Sequence, residues 1–292
     1  MEPESTELPE YGERLGDRYR IDAEVARGGV GVVFRARDLH LQRTVAVKVL
    51  PRRVDRGAKR ERFLREARNA AKVGHPRVVT IFDAGFFRES RPYLVMELLD
   101  GTSLHRRVQT LGPLEPAEAC TMAAQVAGAA HALHGLGMLH RDLKPGNVFL
   151  LRSDALDAKI IDFGMSKRLD GLDTTITEPG RVIGTPSYMA PEQLLGRELD
   201  ARADVYGIGQ TLYESLVGRP MITRYREIDR IFDAILTEPV RAPSEYRRDV
   251  PSYVDAICLC ACAKEPSQRF TTALELRTAC EAAAARAARG DA

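Results

Sequence analysis

Two polar motifs that lie close together restrict the fold of this 292-residue chain far more tightly than its composition does. The first is the string His140-Arg141-Asp142-Leu143-Lys144-Pro145-Gly146-Asn147, and the second, fifteen residues after Asn147, is Asp162-Phe163-Gly164. Short fragments of this kind are common by chance, but both motifs in this order and at this spacing are not. Their carboxylate and amide oxygens are hard ligands suited to Mg²⁺, and a carboxylate also accepts protons. The motifs therefore predict a polar site that can bind a metal ion and accept a proton.

A glycine-rich segment joins two strand-like runs near the start of the chain, and it reads Ala26-Arg27-Gly28-Gly29-Val30-Gly31-Val32-Val33. Glycines let backbone N–H groups approach phosphate oxygens, although such a hairpin is as often a simple turn. Lys48 follows the apolar run Val45–Val47, where an unpaired ammonium would be costly. It either snorkels to solvent or contacts nucleotide phosphates beside a helix carboxylate. Glu66 is the candidate carboxylate, and a solvated pair with Arg62 is its alternative.

Together these motifs resemble the signature set of the protein kinase family. The resemblance covers about Tyr19 to Ala279 and is closest to bacterial Hanks-type (eukaryotic-like) Ser/Thr kinases, which share Asp-Leu-Lys-Pro-Gly-Asn-Val. It implies an α+β, bilobal fold in which a small antiparallel β-sheet N-lobe with one main helix precedes a larger, mainly helical C-lobe. The implied activity is transfer of the γ-phosphoryl group of ATP to protein Ser/Thr hydroxyls. One departure is Ala26, which stands where the family has its first loop glycine; a methyl group is tolerated there if φ stays negative.

Periodicity and composition divide the chain into four segments. Residues 1–17 are predicted to be a flexible acidic tail, 18–98 the N-lobe, 99–282 the C-lobe and 283–292 a C-terminal tail, with 18–282 forming one kinase domain. Strands are predicted over 20–25, 32–34, 45–47, 78–82 and 93–96, and helices over 59–73, 117–136, 203–217, 226–236, 254–262 and 271–288. No apolar run is long enough to span a membrane.

The resemblance assigns roles to the matching positions. The implied catalytic residues are Asp142, Lys144, Lys48, Glu66, Asn147 and Asp162. Asp142 would accept the hydroxyl proton, and Lys144 would place a cation near the transferring group. Lys48 would grip the phosphates of ATP with Glu66 orienting it, while Asn147 and Asp162 would hold Mg²⁺, for which Mn²⁺ is a substitute. The other implied nucleotide-binding residues also fit plain loop or core positions; they are Ala26, Arg27, Gly28, Gly29, Val30, Gly31, Val33, Ala46, Met96, Glu97, Leu99 and Phe149.

Residues 162–192 resemble an activation segment. The segment includes Gly184-Thr185-Pro186-Ser187-Tyr188-Met189-Ala190-Pro191-Glu192. The resemblance implies that Thr185 hydrogen-bonds the catalytic Asp and Lys and that Glu192 pairs with Arg269, whereas an ordinary surface ion pair is the alternative. Asp204 resembles the helix Asp that braces the catalytic loop.

Three threonines in the middle of this segment are predicted phosphorylation sites. They are Thr174, Thr175 and Thr177, and Arg141 supplies a cation that could hold a phosphate. The alternative is a mobile loop that merely contains threonines. Gly146 stands where some relatives that recognise basic sites carry an acid, so we expect no preference for arginine before the target residue.

Charge and cysteine content limit the partners and the compartment. A net charge of +2 is too small to favour nucleic acid as a partner. Five cysteines without a secretory signal indicate free thiols in the cytoplasm, and we expect Cys258, Cys260 and Cys262 to be helix residues rather than metal ligands. The expected partners are protein substrates, including a second copy of this chain in a homodimer for trans-autophosphorylation. This segment is expected to make no membrane contact, although a longer protein would be tethered if a span followed.

Three other functions stay open at this point. A pseudokinase would normally have lost Lys48, Asp142 or Asp162, and all three are present. A small-molecule phosphotransferase would lack the string that runs from Gly184 to Glu192 and usually Lys144. A scaffold role for the tail and the helix over 226–236 is compatible with either.

Overall fold

The computed structural model describes residues 8–29, 31–51, 54, 57–88, 90–153, 155–162, 186–223, 225 and 227–289. Backbone contacts divide these residues into two units. The first unit comprises residues 8–74 and 79–99, and the second comprises 75–78 together with the described residues from 100 onward.

The first unit is an antiparallel sheet with one helix. Its six strands lie in the order β1-β2-β3-β4-β6-β5. Their bounds are β1 (Arg14–Leu15), β2 (Tyr19–Gly28), β3 (Gly31–Asp38), β4 (Arg43–Val49), β5 (Ile81–Phe87) and β6 (Arg91–Met96), and the helix is α1 (Ala58–Ala71). Apolar residues that alternate along β3 and β4 build the core with Tyr19 and Ile21. Helix α1 packs on β5 through Phe63, whose ring centroid lies 5.4 Å from that of Phe86.

The predicted acidic tail ends earlier than Asp17. Arg14 and Leu15 pair with Arg20 and Tyr19 of β2, and the Leu15 side chain is fully buried. Burial of Leu15 and backbone hydrogen bonds between this segment and Ile21 of β2 attach an edge strand here, even though Glu13 and Arg14 are charged. The predicted strand over 78–82 is also displaced, because β5 begins at Ile81 and Val78 instead forms a parallel bridge with Ile160.

The second unit is mainly helical. Its helices are α2 (Leu104–Leu111), α3 (Pro116–Gly135), α4 (Pro191–Leu194), α5 (Ala201–Val217), α6 (Ile228–Thr237), α7 (Ser252–Ala261) and α8 (Ala273–Ala288). A small antiparallel sheet consists of β7 (Gly101–Ser103), β8 (Val148–Leu151) and β9 (Ala158–Ile160). All six predicted helices are found within two residues of their expected bounds, whereas α2 and α4 were not predicted.

Helix α5 is the centre of the second unit. Every residue from Ala203 to Leu216 is buried, which is the pattern of a helix surrounded by others on all sides. Its N-cap Asp200 accepts a hydrogen bond from the backbone N–H of Arg202, and Gly218 ends the helix in the left-handed conformation with φ of 82°. A central helix with fixed ends provides a rigid support for the loops that pack against it.

The cysteines lie mainly in the core of this unit. Cys120, Cys258, Cys262 and Cys280 are buried and Cys260 is partly exposed, and all five are free thiols. Burial raises the pKa of the Cys120 thiol to about 12. In the part of the chain that is described, no three His, Cys, Asp or Glu side chains are grouped to hold a metal ion. Likewise, none of the described helices is both long and apolar enough to cross a membrane.

We predict that Gly31→Ala destabilises the protein by about 2 kcal/mol or more, because φ is strained for any other residue and the new atom clashes with backbone. Gly31 has φ of 128°, and a Cβ there would lie 2.4 Å from the carbonyl oxygen of Val49. Gly28→Ala is the control, since a Cβ at Gly28 meets no atom within 4 Å. Urea denaturation without nucleotide measures both variants, and equal losses would contradict the prediction.

Candidate functional site

A buried carboxylate holds the backbone of the polar string. Asp204 of α5 accepts hydrogen bonds from the backbone N–H groups of His140 and Arg141, each at 2.8 Å. His134 of α3 contributes Nε2 at 2.8 Å to the same carboxylate. Burial opposes the charge on Asp204, but the hydrogen bonds from His134 and from the backbone N–H of His140 keep its pKa below the usual range. Asp204 therefore stays ionised and fixes the backbone at His140 and Arg141. This is the bracing role that its resemblance to the family's helix Asp implies.

His140 connects the two motifs. The backbone N–H of Asp142 donates to His140 Nδ1 at 3.3 Å, so the ring proton sits on Nε2, which lies 3.3 Å from the carbonyl oxygen of Ile161. Burial lowers the pKa of His140 and favours this neutral form. One imidazole thus ties the residue before Asp162 to the turn that carries Asp142, a role that the sequence did not suggest.

Three side chains predicted to be catalytic meet at one point of the second unit. Lys144 Nζ and Asn147 Nδ2 each lie 2.9 Å from Asp142 Oδ2, and Asn147 Nδ2 also donates to the backbone carbonyl of Asp142 at 2.8 Å. The backbone N–H of Ile161 donates to the backbone carbonyl of Asn147 at 2.9 Å, and Asp162 is the next residue after Ile161. The Asp142 carboxylate is therefore held in one orientation by two donors.

The same contacts orient Asn147 as a cation ligand. Because Nδ2 makes both hydrogen bonds to Asp142, the amide oxygen Oδ1 is the atom that is left to ligate a metal. Asp162, which follows Ile161, provides a carboxylate with backbone φ of 70°. An amide oxygen and a carboxylate form a hard donor set, which fits Mg²⁺.

Two residues of this site adopt the left-handed backbone that ordinary side chains avoid. Arg141 has φ of 65° and Asp162 has φ of 70°. Such strain persists only where surrounding contacts over-determine it, and it is frequent at functional sites. Helix α5 also approaches very closely here, since a Cβ on Gly207 would lie 2.8 Å from the Leu143 carbonyl oxygen. Neither feature was evident from spacing alone.

Glu192 and Arg269 form a buried, bidentate ion pair. Arg269 Nη1 and Nη2 lie 2.6 and 2.8 Å from the two carboxylate oxygens of Glu192, and the two side chains are 0% and 6% exposed. Arg269 also donates to the backbone carbonyls of Ala263, Arg202 and Lys264. The predicted partners are thus brought together, and their burial rules out an ordinary surface pair.

The first unit places several predicted nucleotide-binding residues on adjacent strands. Lys48 of β4, 6% exposed, lies opposite Val33 and Leu94, and Ala46 lies opposite Met96. Ala46 and Lys48 are two residues apart and therefore face the same side of the sheet. Ala26 lies within β2 opposite Val33, so the alanine that stands where the family has glycine is a strand residue.

Contacts around the remaining residues of this unit are partly local. Glu66 of α1 accepts a hydrogen bond from Arg62 Nε at 3.2 Å, the helix pairing that we considered as its alternative role. Glu97 Oε1 accepts from the backbone N–H of Thr80 at 2.7 Å. A Cβ on Gly28 or Gly29 would meet open space, so glycine at these two positions is not required by packing within the protein.

Some predicted residues lie elsewhere or outside the described ranges. Phe149 belongs to β8 of the second unit and is partly exposed, and Leu99 ends the first unit. The residues outside the described ranges are Val30, Phe163, Gly164, Thr174, Thr175, Thr177 and Thr185. Arg27 lies on β2 and forms an exposed ion pair with Glu24.

Comparison with known proteins identifies relatives over nearly the whole chain. The family described as protein kinase domain matches residues 19–282. A probable serine/threonine-protein kinase of Corynebacterium efficiens is 39% identical over 270 residues, which are 90% of this chain and 40% of that protein. Serine/threonine-protein kinase PknB of Mycolicibacterium smegmatis is 39% identical over 269 residues, or 91% of this chain and 43% of PknB. The chain thus spans less than half the length of these relatives.

A solved structure is similar as well. The PknI kinase domain of Mycobacterium tuberculosis is 25% identical, with a TM-score of 0.74 over 94% of this chain and 100% of that domain.

We predict that Glu192→Gln or Arg269→Met each destabilises the protein by about 3–5 kcal/mol, because either change leaves the other buried group without its partner. The double variant should lose less than the sum of the two single losses. Urea denaturation measures all three.

The matched control is an exposed pair with the same residue types. Arg277 Nε lies 2.7 Å from Glu281 Oε1, and both side chains are about half exposed. Glu281→Gln should change stability by less than about 0.5 kcal/mol. A loss as large as that of Glu192→Gln would show that burial is not the cause.

Proposed function

Because the chain belongs to the protein kinase family, we propose that it transfers the γ-phosphoryl group of ATP to Ser and Thr hydroxyls of proteins. The observation that carries this proposal is the Asp142 carboxylate, whose Oδ2 lies 2.9 Å from both Lys144 Nζ and Asn147 Nδ2. Phosphoryl transfer demands positioning and neutralisation of charge more than covalent chemistry, and this arrangement supplies both.

Residues of the second unit would act on the nucleophile and the metal. Asp142 aims the substrate hydroxyl and accepts its proton, and Lys144 places a positive charge beside the transferring group. Asn147 and Asp162 would hold Mg²⁺ or Mn²⁺ through oxygen atoms. The chemistry that such an ion would supply is positive charge that offsets the charge of the ATP phosphates.

Residues of the first unit would hold ATP. Lys48 grips the α- and β-phosphates, and Glu66 orients its ammonium group. The glycine-rich segment would cover the phosphates with backbone N–H groups, for which the open space at Gly28 and Gly29 is favourable. The other proposed adenine-site residues of this unit are Val33, Ala46, Met96, Glu97 and Leu99, and Phe149 of the second unit is proposed to contact adenine as well.

Protein Ser/Thr hydroxyls are the favoured acceptors over the alternatives. Lys144, two residues after Asp142, resembles the Ser/Thr branch of the family, and the relatives are named as serine/threonine-protein kinases. A pseudokinase is disfavoured because Lys48, Asp142 and Asp162 are all present. Ala26 departs from the family pattern, but it still pairs with Val33 across β2 and β3, directly after an irregularity in the strand between Glu24 and Ala26.

The partners follow from this activity. We propose protein substrates that include a second copy of this chain, with a homodimer formed for trans-autophosphorylation. Five free thiols favour a reducing compartment such as the cytoplasm. Thr185 is expected to contact Asp142 and Lys144 when the segment is in its active state, as in the family.

Asp142→Asn should reduce turnover by about 10²-fold or more while nucleotide binding stays nearly unchanged, because only the proton acceptor is lost. Lys48→Met should abolish transfer, because the ATP phosphates would no longer be aligned. Transfer from γ-labelled ATP to a protein acceptor, with and without Mg²⁺, measures both variants beside a nucleotide-binding titration.

Exposed residues of the same types provide the controls. Asp17→Asn and Lys72→Met remove the same charges at exposed positions and should leave turnover unchanged. If Asp142→Asn protein transfers phosphate at the parental rate, the role of Asp142 is wrong.

Autophosphorylation in trans should modify one or more of Thr174, Thr175 and Thr177. The test mixes active protein with a tagged Asp142→Asn copy, which can accept phosphate but should transfer it about 10²-fold more slowly. Mass spectrometry should find phosphate on the tagged copy within 174–177. An active protein with these three threonines unmodified would exclude them as sites.

A further inference from the structure

A glutamine side chain bridges helix α4 to the turn that carries Asp142. Gln193 Nε2 donates to the backbone carbonyl of Arg141 at 2.8 Å. Its Oε1 accepts the backbone N–H of Ala190, the N-cap of α4, at 2.9 Å. The amide therefore uses a donor and an acceptor at once, and neither bond involves another side chain. A side chain with this pattern fixes the distance and orientation of two backbone segments.

The carbonyl that Gln193 binds belongs to a strained residue. Arg141 has φ of 65°, and its N–H is held by Asp204 at 2.8 Å. Its carbonyl is part of the peptide that leads into Asp142, so Asp204 and Gln193 hold the two ends of the residue before the proposed proton acceptor. Strained backbone of this kind needs contacts on both sides to persist.

Helix α4 is itself fixed in place. Glu192, the residue before Gln193, forms the buried ion pair with Arg269, which in turn donates to the backbone carbonyl of Arg202 at the start of α5. Gln193 therefore extends from an anchored helix, and its amide transmits that rigidity to the Arg141 carbonyl. A glutamine on a mobile loop could not do this.

We propose that Gln193 is a positioning residue for Asp142. It does not contact substrate; it holds the Arg141–Asp142 peptide so that the carboxylate faces the hydroxyl that loses its proton. The inference rests on the proposed kinase activity and deepens it, since small displacements of a catalytic group cause large losses of rate.

Gln193→Met tests the proposal because methionine has nearly the same length and shape but no amide. We expect kcat to fall about tenfold, with the KM for ATP changed by less than about twofold, because orientation rather than nucleotide binding is lost. The assay is transfer from γ-labelled ATP to a protein acceptor, with thermal unfolding recorded on the same samples.

Gln125 offers a matched control within the same unit. Its Nε2 donates to the Leu156 carbonyl at 2.9 Å, and its Oε1 accepts the Ala158 N–H at 2.8 Å, so the same two amide atoms bind backbone groups and join α3 to residues 156–158. Gln125→Met should lower the unfolding temperature by a similar amount and keep kcat. Equal losses of kcat in both variants would overturn the proposal.

Gln193→Glu adds a readout that a general loss of stability would not change. The introduced carboxylate still accepts from Ala190, but when ionised it repels the Arg141 carbonyl; when protonated, it donates as the amide did. The repulsion from the carbonyl, and the hydrogen bond that only the protonated form donates, raise the pKa of the introduced carboxyl above its usual value of about 4.3. The ratio of its kcat to that of the parent should therefore rise as pH falls from about 8 to about 5. The charged neighbours Arg141, Asp142, Asp204, Glu192 and Arg269 are common to both proteins, so their titration largely cancels.

The outcomes separate the two proposals. Wild-type transfer no faster than that of Asp142→Asn would defeat the kinase activity and this inference with it. An active wild type together with full kcat in Gln193→Met, or with a ratio for Gln193→Glu that does not change with pH, would overturn the role of Gln193 alone. If Gln193→Met fails to fold, the pH series on Gln193→Glu still decides.

Discussion

The Asp204 carboxylate, buried in the middle of the second unit, accepts the backbone N–H groups of His140 and Arg141. A charge in this position would be costly without partners, and these two donors together with His134 offset that cost. The contact can form only because α5 is rigid and because Gly207 lets the helix lie against Leu143. The strained φ of Arg141, and hence the direction of Asp142, depends on it.

Further buried polar contacts extend from this point. His140 contacts the carbonyl oxygen of Ile161, Gln193 of α4 donates to the Arg141 carbonyl, and Glu192 joins α4 to Arg269. Each of these contacts pairs a polar group that is buried or partly buried, so removing one partner leaves the other without its hydrogen bond. Asp142 lies on a turn rather than on a helix or strand, yet contacts to the surrounding helices fix its position. In this way the turn that carries Asp142 is held as a preorganised site.

Much of the architecture could be predicted. The α+β class with an antiparallel sheet, one helix and a mainly helical second part is confirmed by the fold and by the similarity to the PknI kinase domain, and the Ser/Thr kinase resemblance is confirmed by the family match. Long helices with strong apolar periodicity, such as α3 and α5, were located within two residues. Short elements were missed because one or two turns, as in α4, carry too little periodicity, and the strand at Leu15 was hidden by its charged neighbours.

The sequence by itself determined the chemical inventory: which carboxylates, amides and ammonium groups are available, and in which order, because unusual polar strings are recognisable without any knowledge of contacts. Only the tertiary structure decided how these groups are held. The side chains of Gln193 and His140 form hydrogen bonds with backbone atoms. Every residue offers such atoms, so no sequence pattern predicts these contacts. Glu66 shows the same limit: its spacing allows two partners, the folded helix places Arg62 Nε within hydrogen-bonding distance, and the orientation of Lys48 by Glu66 stays a prediction.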